Sequence, residues 1–123
     1  MRRLTSALLA LFLPLLAAAV AQAEVRVAGV GPLKGQYAAL GEQIRLGAAT
    51  AVADINAAGG INGEQVSLLV GDDNCEARQA VTIAEGYVVE GVRAVIGHYC
   101  SGASMAAAPV YAKAGILMLS PAS

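Results

Sequence analysis

The chain has 123 residues, with eight Lys and Arg, nine Asp and Glu, one His, two Cys and no Trp, and a formal charge of −1. With no clustered basic stretch beyond the amino terminus, nucleic acid is excluded as an expected partner. The length allows one domain at most.

In chain order the first feature is Met1-Arg2-Arg3, then Thr5-Ser6, an uncharged apolar run from Ala7 to Val20, and Ala21-Gln22-Ala23. A basic start, an apolar middle and a small-x-small end are the three parts of a secretory signal. The run of about 14 residues falls short of the roughly 20 needed to span a bilayer, and Pro14 interrupts it. Cleavage is therefore expected between Ala23 and Glu24. The exported chain would be residues 24–123, and no cysteine follows the cleavage site to carry a lipid anchor.

Beyond Ala23 strand-like and helix-like segments alternate. The first strand is expected at Val25 to Val30, the second at Val66 to Val70, the third at Ala94-Val95-Ile96 and the fourth at Ile116 to Leu119. Most are short apolar runs, the pattern of strands buried on both faces. In the first helical segment Ile44, Ala48, Ala51, Val52 and Ile55 form one stripe, ended by Gly59-Gly60. In the second, Ala77, Ala80, Val81, Ala84 and Val88 form the stripe, with Asp73 or Asn74 placed to cap its start. In the third, Ala107, Val110, Tyr111 and Ala114 share a face, and the helix is expected to begin shortly before Pro109 or to kink there. The alternation implies right-handed crossovers and a doubly wound, mainly parallel α/β sheet in the order 2-1-3-4. Ligands of such sheets bind beyond the carboxyl ends of the strands, here Gly31 to Leu40, Gly71 to Cys75, Gly97 to Ser101 and Ser120 to Ser123.

Cys75 and Cys100 both follow strands and so lie at that end. In an exported protein they are expected to form a disulfide, closing a loop worth about 3 kcal/mol in the chain-entropy picture. Metal binding would need three or four convergent ligands, and His98 is the single histidine. A thiol nucleophile would need an activating base with an orienting partner. His98 is read instead as a structural residue at a strand end, and no metal or cofactor is expected.

Gly29-Val30-Gly31-Pro32-Leu33-Lys34-Gly35 evokes a dinucleotide loop, but Lys34 stands where the third glycine belongs and Asp72 comes too late for the ribose. A nucleotide-dependent enzyme is thus disfavoured, and no catalytic residue is assigned. Asp72-Asp73 could suggest acid–base work, but a capping, solvent-facing pair is the preferred reading. At Cys100-Ser101-Gly102-Ala103-Ser104 a strand meets a helix. The free N–H groups of a helix start suit a carboxylate, and the Ser101 hydroxyl either serves that anion or caps the helix.

Several stretches together resemble the periplasmic branched-chain amino acid-binding proteins of ABC importers. They are Val27-Ala28-Gly29-Val30-Gly31-Pro32-Leu33 with Gly35, Ala53-Asp54-Ile55-Asn56-Ala57-Ala58-Gly59-Gly60-Ile61-Asn62-Gly63, Asp72-Asp73-Asn74-Cys75 with Gln79-Ala80-Val81, Val95-Ile96-Gly97-His98-Tyr99-Cys100-Ser101, and Gly115-Ile116-Leu117-Met118-Leu119-Ser120-Pro121-Ala122. The resemblance spans residues 24–123. It implies a type I periplasmic binding fold of two lobes that close around an amino acid and deliver it to a membrane permease. It further implies that Ser101 holds the ligand carboxylate, that the Ala122 carbonyl meets the ligand ammonium, that Tyr99 and Cys100 line the site, and that Cys100 pairs with Cys75. Ser123 lies at the same strand tip and is also placed at the ligand.

The chain departs from the family pattern at Lys34, where a Ser or Thr is usual, and at Leu40, where an aromatic residue often touches the ligand. Binders of amides, urea or aromatic acids share the same framework, as do sensory domains. Family members run to several hundred residues, so the chain is read as an amino-terminal lobe that carries half a site, the second lobe being absent.

Overall fold

The computed structural model describes residues 23–122. The expected signal segment before Ala23, and Ser123, lie outside the described residues. The strands are β1 (Glu24–Gly31), β2 (Gln65–Asp72), β3 (Ala94–Ile96) and β4 (Leu117–Leu119). The helices are α1 (Ala38–Ala57), α2 (Ala77–Val89) and α3 (Ser101–Ala114), and a 3-10 turn over Gly35–Tyr37 leads into α1. All pairings are parallel and the order is β2-β1-β3-β4, as the alternation required.

Two layers of helix sandwich the sheet, and the period of two along β1 sorts its residues between them. Ala28 and Val30 are fully buried in one cluster with Ala80 and Ala84 of α2 and Ala103, Ala107 and Tyr111 of α3. Alanines at the helix contact let α2 and α3 approach the sheet and each other closely. Gly29 faces the other way, where a Cβ would lie 3.5 Å from the Ala48 Cβ of α1. Its lack of a side chain lets α1 settle directly onto β1.

The helix faces differ in detail from the sequence pattern. In α2 the third large contact is Tyr87, which is buried, whereas Val88 is 39% exposed. In α1 Ala48 is buried and Ile55 is 37% exposed. In α3 Ala103 and Ser104 are buried and Ala114 is exposed. α3 also starts well before Pro109, which sits inside it. Pro109 is exposed, so the bond it cannot donate falls on the solvent side of the helix. Gly115 ends α3 in the left-handed conformation at φ 70°.

The expectation that the strands are buried on both faces fails at β4, where Leu117 is 59% and Leu119 56% exposed. β4 is an edge strand, and α1 covers β1 and β2 rather than β4. Among the described residues, no helix is long and apolar enough to cross a membrane.

Candidate functional site

The carboxyl ends of the four strands converge on one edge of the sheet, as parallel pairing demands. The loop after β1 is drawn tight there. Gly31 is flanked by α1 so closely that a Cβ would stand 3.2 Å from Ile44 Cδ1 and 3.3 Å from Gly41 Cα. Gly41 in turn has no room for a side chain, because its Cβ would run into the Pro32 carbonyl. Two glycines on facing elements thus bring the first turn of α1 against the β1 tip.

Asp72 and Asp73 correct the sequence reading. α2 is preceded by Glu76 and takes no side-chain cap, so neither Asp73 nor Asn74 caps it, and Asp73 is fully buried. The pair instead holds a sharp turn. Asn74 and Cys75 have φ values of 48° and 58°, a region unfavourable to side chains other than Asn and Asp. Asp72 Oδ1 accepts the Asn74 N–H at 3.1 Å and Asp73 Oδ1 the Cys75 N–H at 2.9 Å, the Asx-type bonding that makes such turns tolerable. Asp72 Oδ1 also accepts the Leu33 N–H at 2.9 Å, tying the β1 loop to the β2 end.

That turn delivers Cys75 to Cys100. The two form a disulfide with a Cα–Cα distance of 5.3 Å, and no free cysteine remains among the described residues. With both sulfurs joined, neither is available as a metal ligand or nucleophile. Beside it, His98 is fully buried. Its Nδ1 lies 2.6 Å from Asp73 Oδ2 and its Nε2 3.1 Å from the Tyr111 hydroxyl. The His98 carbonyl accepts hydroxyl protons from Ser104 at 3.0 Å and Ser120 at 2.8 Å. His98 is thus structural, as expected from sequence. Burial pushes the Tyr111 phenol well above its ordinary value, and the neighbouring Tyr87 and Asp73 add to the effect. No sequence pattern marked the Asp73–His98–Tyr111 set, because its members come from three elements distant along the chain.

Between α1 and the ends of β3 and β4 opens a cleft of about 320 Å³, the size of a small-ligand site. Leu40 and Ile44 of α1, Ile96 and Tyr99 of the β3 end, and Pro121 and Ala122 after β4 line it. The Tyr99 ring meets that of Tyr37 at 6.3 Å between centroids, tilted by 41°. A larger groove of about 590 Å³ lies between α2 and α3, away from the strand tips.

Three of the residues placed at the ligand from sequence, Leu40, Tyr99 and Ala122, therefore share one cleft wall. Cys100 is half-buried in the disulfide and precedes α3, and Ser101 is its exposed first residue. Neither lines the cleft itself, although they are the next two residues after Tyr99. Cys100 occupies the N-cap position and no side chain caps the helix, so the Ser101 hydroxyl does not serve as a cap. Ile44, Ile96 and Pro121 were not singled out from sequence as site residues. Ile44 carried the signal of a stripe residue, and only the seating of α1 turns it toward the cleft.

The profile of the family described as "Periplasmic binding protein" matches residues 24–123. The chain is 49% identical over 94 residues to Leu/Ile/Val-binding protein homolog 2 of Brucella abortus (strain 2308), covering 76% of this chain and 25% of that protein. It is 44% identical over 100 residues to the Leu/Ile/Val-binding protein of Escherichia coli (strain K12), covering 81% and 27%. Among solved structures it is similar to the branched-chain amino acid transporter substrate-binding protein LivJ of Streptococcus pneumoniae in complex with isoleucine. There the TM-score is 0.76 at 35% identity, covering 81% of this chain and 29% of that one. The chain spans about a quarter of the length of the curated relatives it matches. A parallel sheet in the order β2-β1-β3-β4, a ligand-sized cleft at its carboxyl edge and a profile match from Glu24 onward agree with one another: the chain belongs to the periplasmic binding protein family.

Proposed function

We propose that this chain forms one wall of the amino-acid site of an ABC importer's substrate-binding protein, selective for branched-chain or related amino acids. The observation that carries the reading is the cleft itself. Its apolar surface, with Leu40, Ile44 and Ile96, includes Tyr99, and Ser101, the exposed first residue of α3, comes two residues later in the chain. An α-amino acid with an aliphatic side chain needs both an apolar wall and an anion site. The unpaired N–H groups and positive end of a helix start supply the latter.

In this reading Ser101 donates its hydroxyl and N–H to the ligand carboxylate. The carbonyl of Ala122, with Ser123 beside it, faces the ligand ammonium, and Leu40 and Tyr99 contact the side chain. Cys100 shapes the wall through its bond to Cys75. The site holds and releases its ligand without chemistry on it. The relatives' names and the isoleucine in the LivJ structure support the ligand class. Export follows from the signal pattern, with cleavage between Ala23 and Glu24 and delivery to a membrane permease from the periplasm.

Isothermal titration of the purified protein with L-leucine, L-isoleucine and L-valine tests the reading. Binding of at least one is expected, and Ser101→Ala should weaken it about tenfold or more, the worth of a charge-assisted hydrogen bond. Unchanged affinity in Ser101→Ala would overturn the carboxylate assignment. Failure of all three amino acids to bind would overturn the ligand class.

A further inference from the structure

We propose that His98 is the positioning residue of the cleft, holding the β3 tip through both ring nitrogens and its carbonyl so that Tyr99 and the start of α3 keep their places. The proposal rests on the ligand-site reading above for its consequence, but its structural content stands apart from that reading.

The argument begins with the carboxylate. Asp73 is fully buried and accepts the Cys75 N–H through Oδ1. Its other oxygen lies 2.6 Å from His98 Nδ1. A carboxylate only accepts, so Nδ1 carries the proton of this bond, and in the neutral ring Nε2 is left to accept the Tyr111 O–H. The ring is thereby fixed in plane and tautomer from both sides, by the β2 end through Asp73 and by the interior of α3 through Tyr111. The His98 carbonyl is held a third and fourth time, by Ser104 of α3 and by Ser120 after β4. One residue therefore gathers the ends of β2, β3 and β4 and the body of α3.

The next three residues are Tyr99, which lines the cleft, Cys100, which is bonded to Cys75, and Ser101, which opens α3. A fully buried, fully partnered histidine directly before a functional segment is costly to place and serves to specify geometry. The disulfide secures Cys100 covalently, but it acts on one residue of the segment. The hydrogen-bonded hub sets the direction in which the segment leaves β3.

Amide hydrogen exchange on the oxidised protein tests this without needing a ligand. The Gly97 N–H, bonded to the Leu119 carbonyl, and the Ser104 N–H, bonded to the Cys100 carbonyl, bracket the segment. The Arg93 N–H, bonded to the Arg26 carbonyl, reports on the opposite end of the sheet. In Tyr111→Phe, which removes one oxygen and keeps the packing, exchange at Gly97 and Ser104 should quicken about tenfold while Arg93 stays unchanged, the mark of a local opening. His98→Leu should quicken it further. His98→Asn, which keeps a donor for Asp73 but loses the Tyr111 bond, should quicken it about as much as Tyr111→Phe and less than His98→Leu.

Equal acceleration at all three amides, or none at any, would overturn the proposal, the first showing a general loss of stability and the second no role at all. L-leucine affinity supplies the functional arm. It should fall about tenfold in His98→Leu and less in His98→Asn, which keeps the Asp73 bond alone. A parent protein that binds none of L-leucine, L-isoleucine and L-valine defeats the ligand reading, while the exchange pattern still decides the role of His98.

Discussion

Asn56 on α1 and Val66 on β2 exchange two hydrogen bonds, with the Asn56 amide donating to the Val66 carbonyl and accepting the Val66 N–H, both at 2.8 Å. β2 is an edge strand, and an open edge leaves backbone groups without strand partners. One asparagine side chain satisfies both groups of a residue that is itself buried. Asn56→Ala should therefore cost about 1–3 kcal/mol, read as a lower midpoint in urea denaturation. Asn56→Asp, which loses the donor alone, should fall between. An unchanged midpoint in both would remove the clamp from the account of the fold.

The disulfide gives a second expectation. Peptide mass spectrometry under non-reducing conditions should find Cys75 and Cys100 in one cross-linked pair. Replacing both with alanine should lower stability by about 3 kcal/mol, the entropy of closing a loop of 25 residues. Two free thiols in exported material would contradict the structure.

Tyr87 is buried, yet its hydroxyl has no hydrogen-bond partner among the described residues. Tyr87→Phe should accordingly raise stability by about 1–2 kcal/mol. Burial first, and then the charge of Glu90, push this phenol up to about 12, whereas an unfolded tyrosine ionises at about 10. Between those values the native state binds more protons than the unfolded one, so stability falls as pH rises. Denaturation midpoints should drop from about pH 10 upward in the parent and drop less in Tyr87→Phe. Tyr111, raised in the same direction, accounts for what remains.

Gly41 separates helix preference from packing. Alanine at an interior helix position is favoured over glycine by about 1 kcal/mol. Here its Cβ would meet the Pro32 carbonyl, and shifting α1 away would widen the cleft at Leu40 and Ile44. Gly41→Ala should lose about 1–3 kcal/mol net, as overpacked sites do. A more stable variant by thermal melting would show that the loop after β1 gives way easily.

The order of elements, the parallel sheet and the strand order were legible in the sequence, because alternating apolar periods and short connections leave few topologies open. The ends of the strands could be located for the same reason, whereas Leu40, Tyr99 and Ala122 were singled out within them by the resemblance to the family. Periodicity failed where a face depends on which neighbour covers it. Val88 and Tyr87 differ by one position on α2, and only the seating of α2 on the sheet, with the Tyr87 hydroxyl over Gly71 of β2 and Val88 in the groove toward α3, decides that Tyr87 goes in.

The residues themselves determined that this is a doubly wound α/β chain with two cysteines at the carboxyl edge of its sheet and a signal-like start. The tertiary structure alone decided that Asp73, His98 and Tyr111 meet, and that Asp72 and Asp73 hold a left-handed turn instead of capping a helix. Local patterns are set by neighbours three or four residues away, which a sequence displays. A buried polar network is set by groups that must find partners once water is excluded, and those partners come from β2, β3 and α3, brought together only when the sheet closes against its helices.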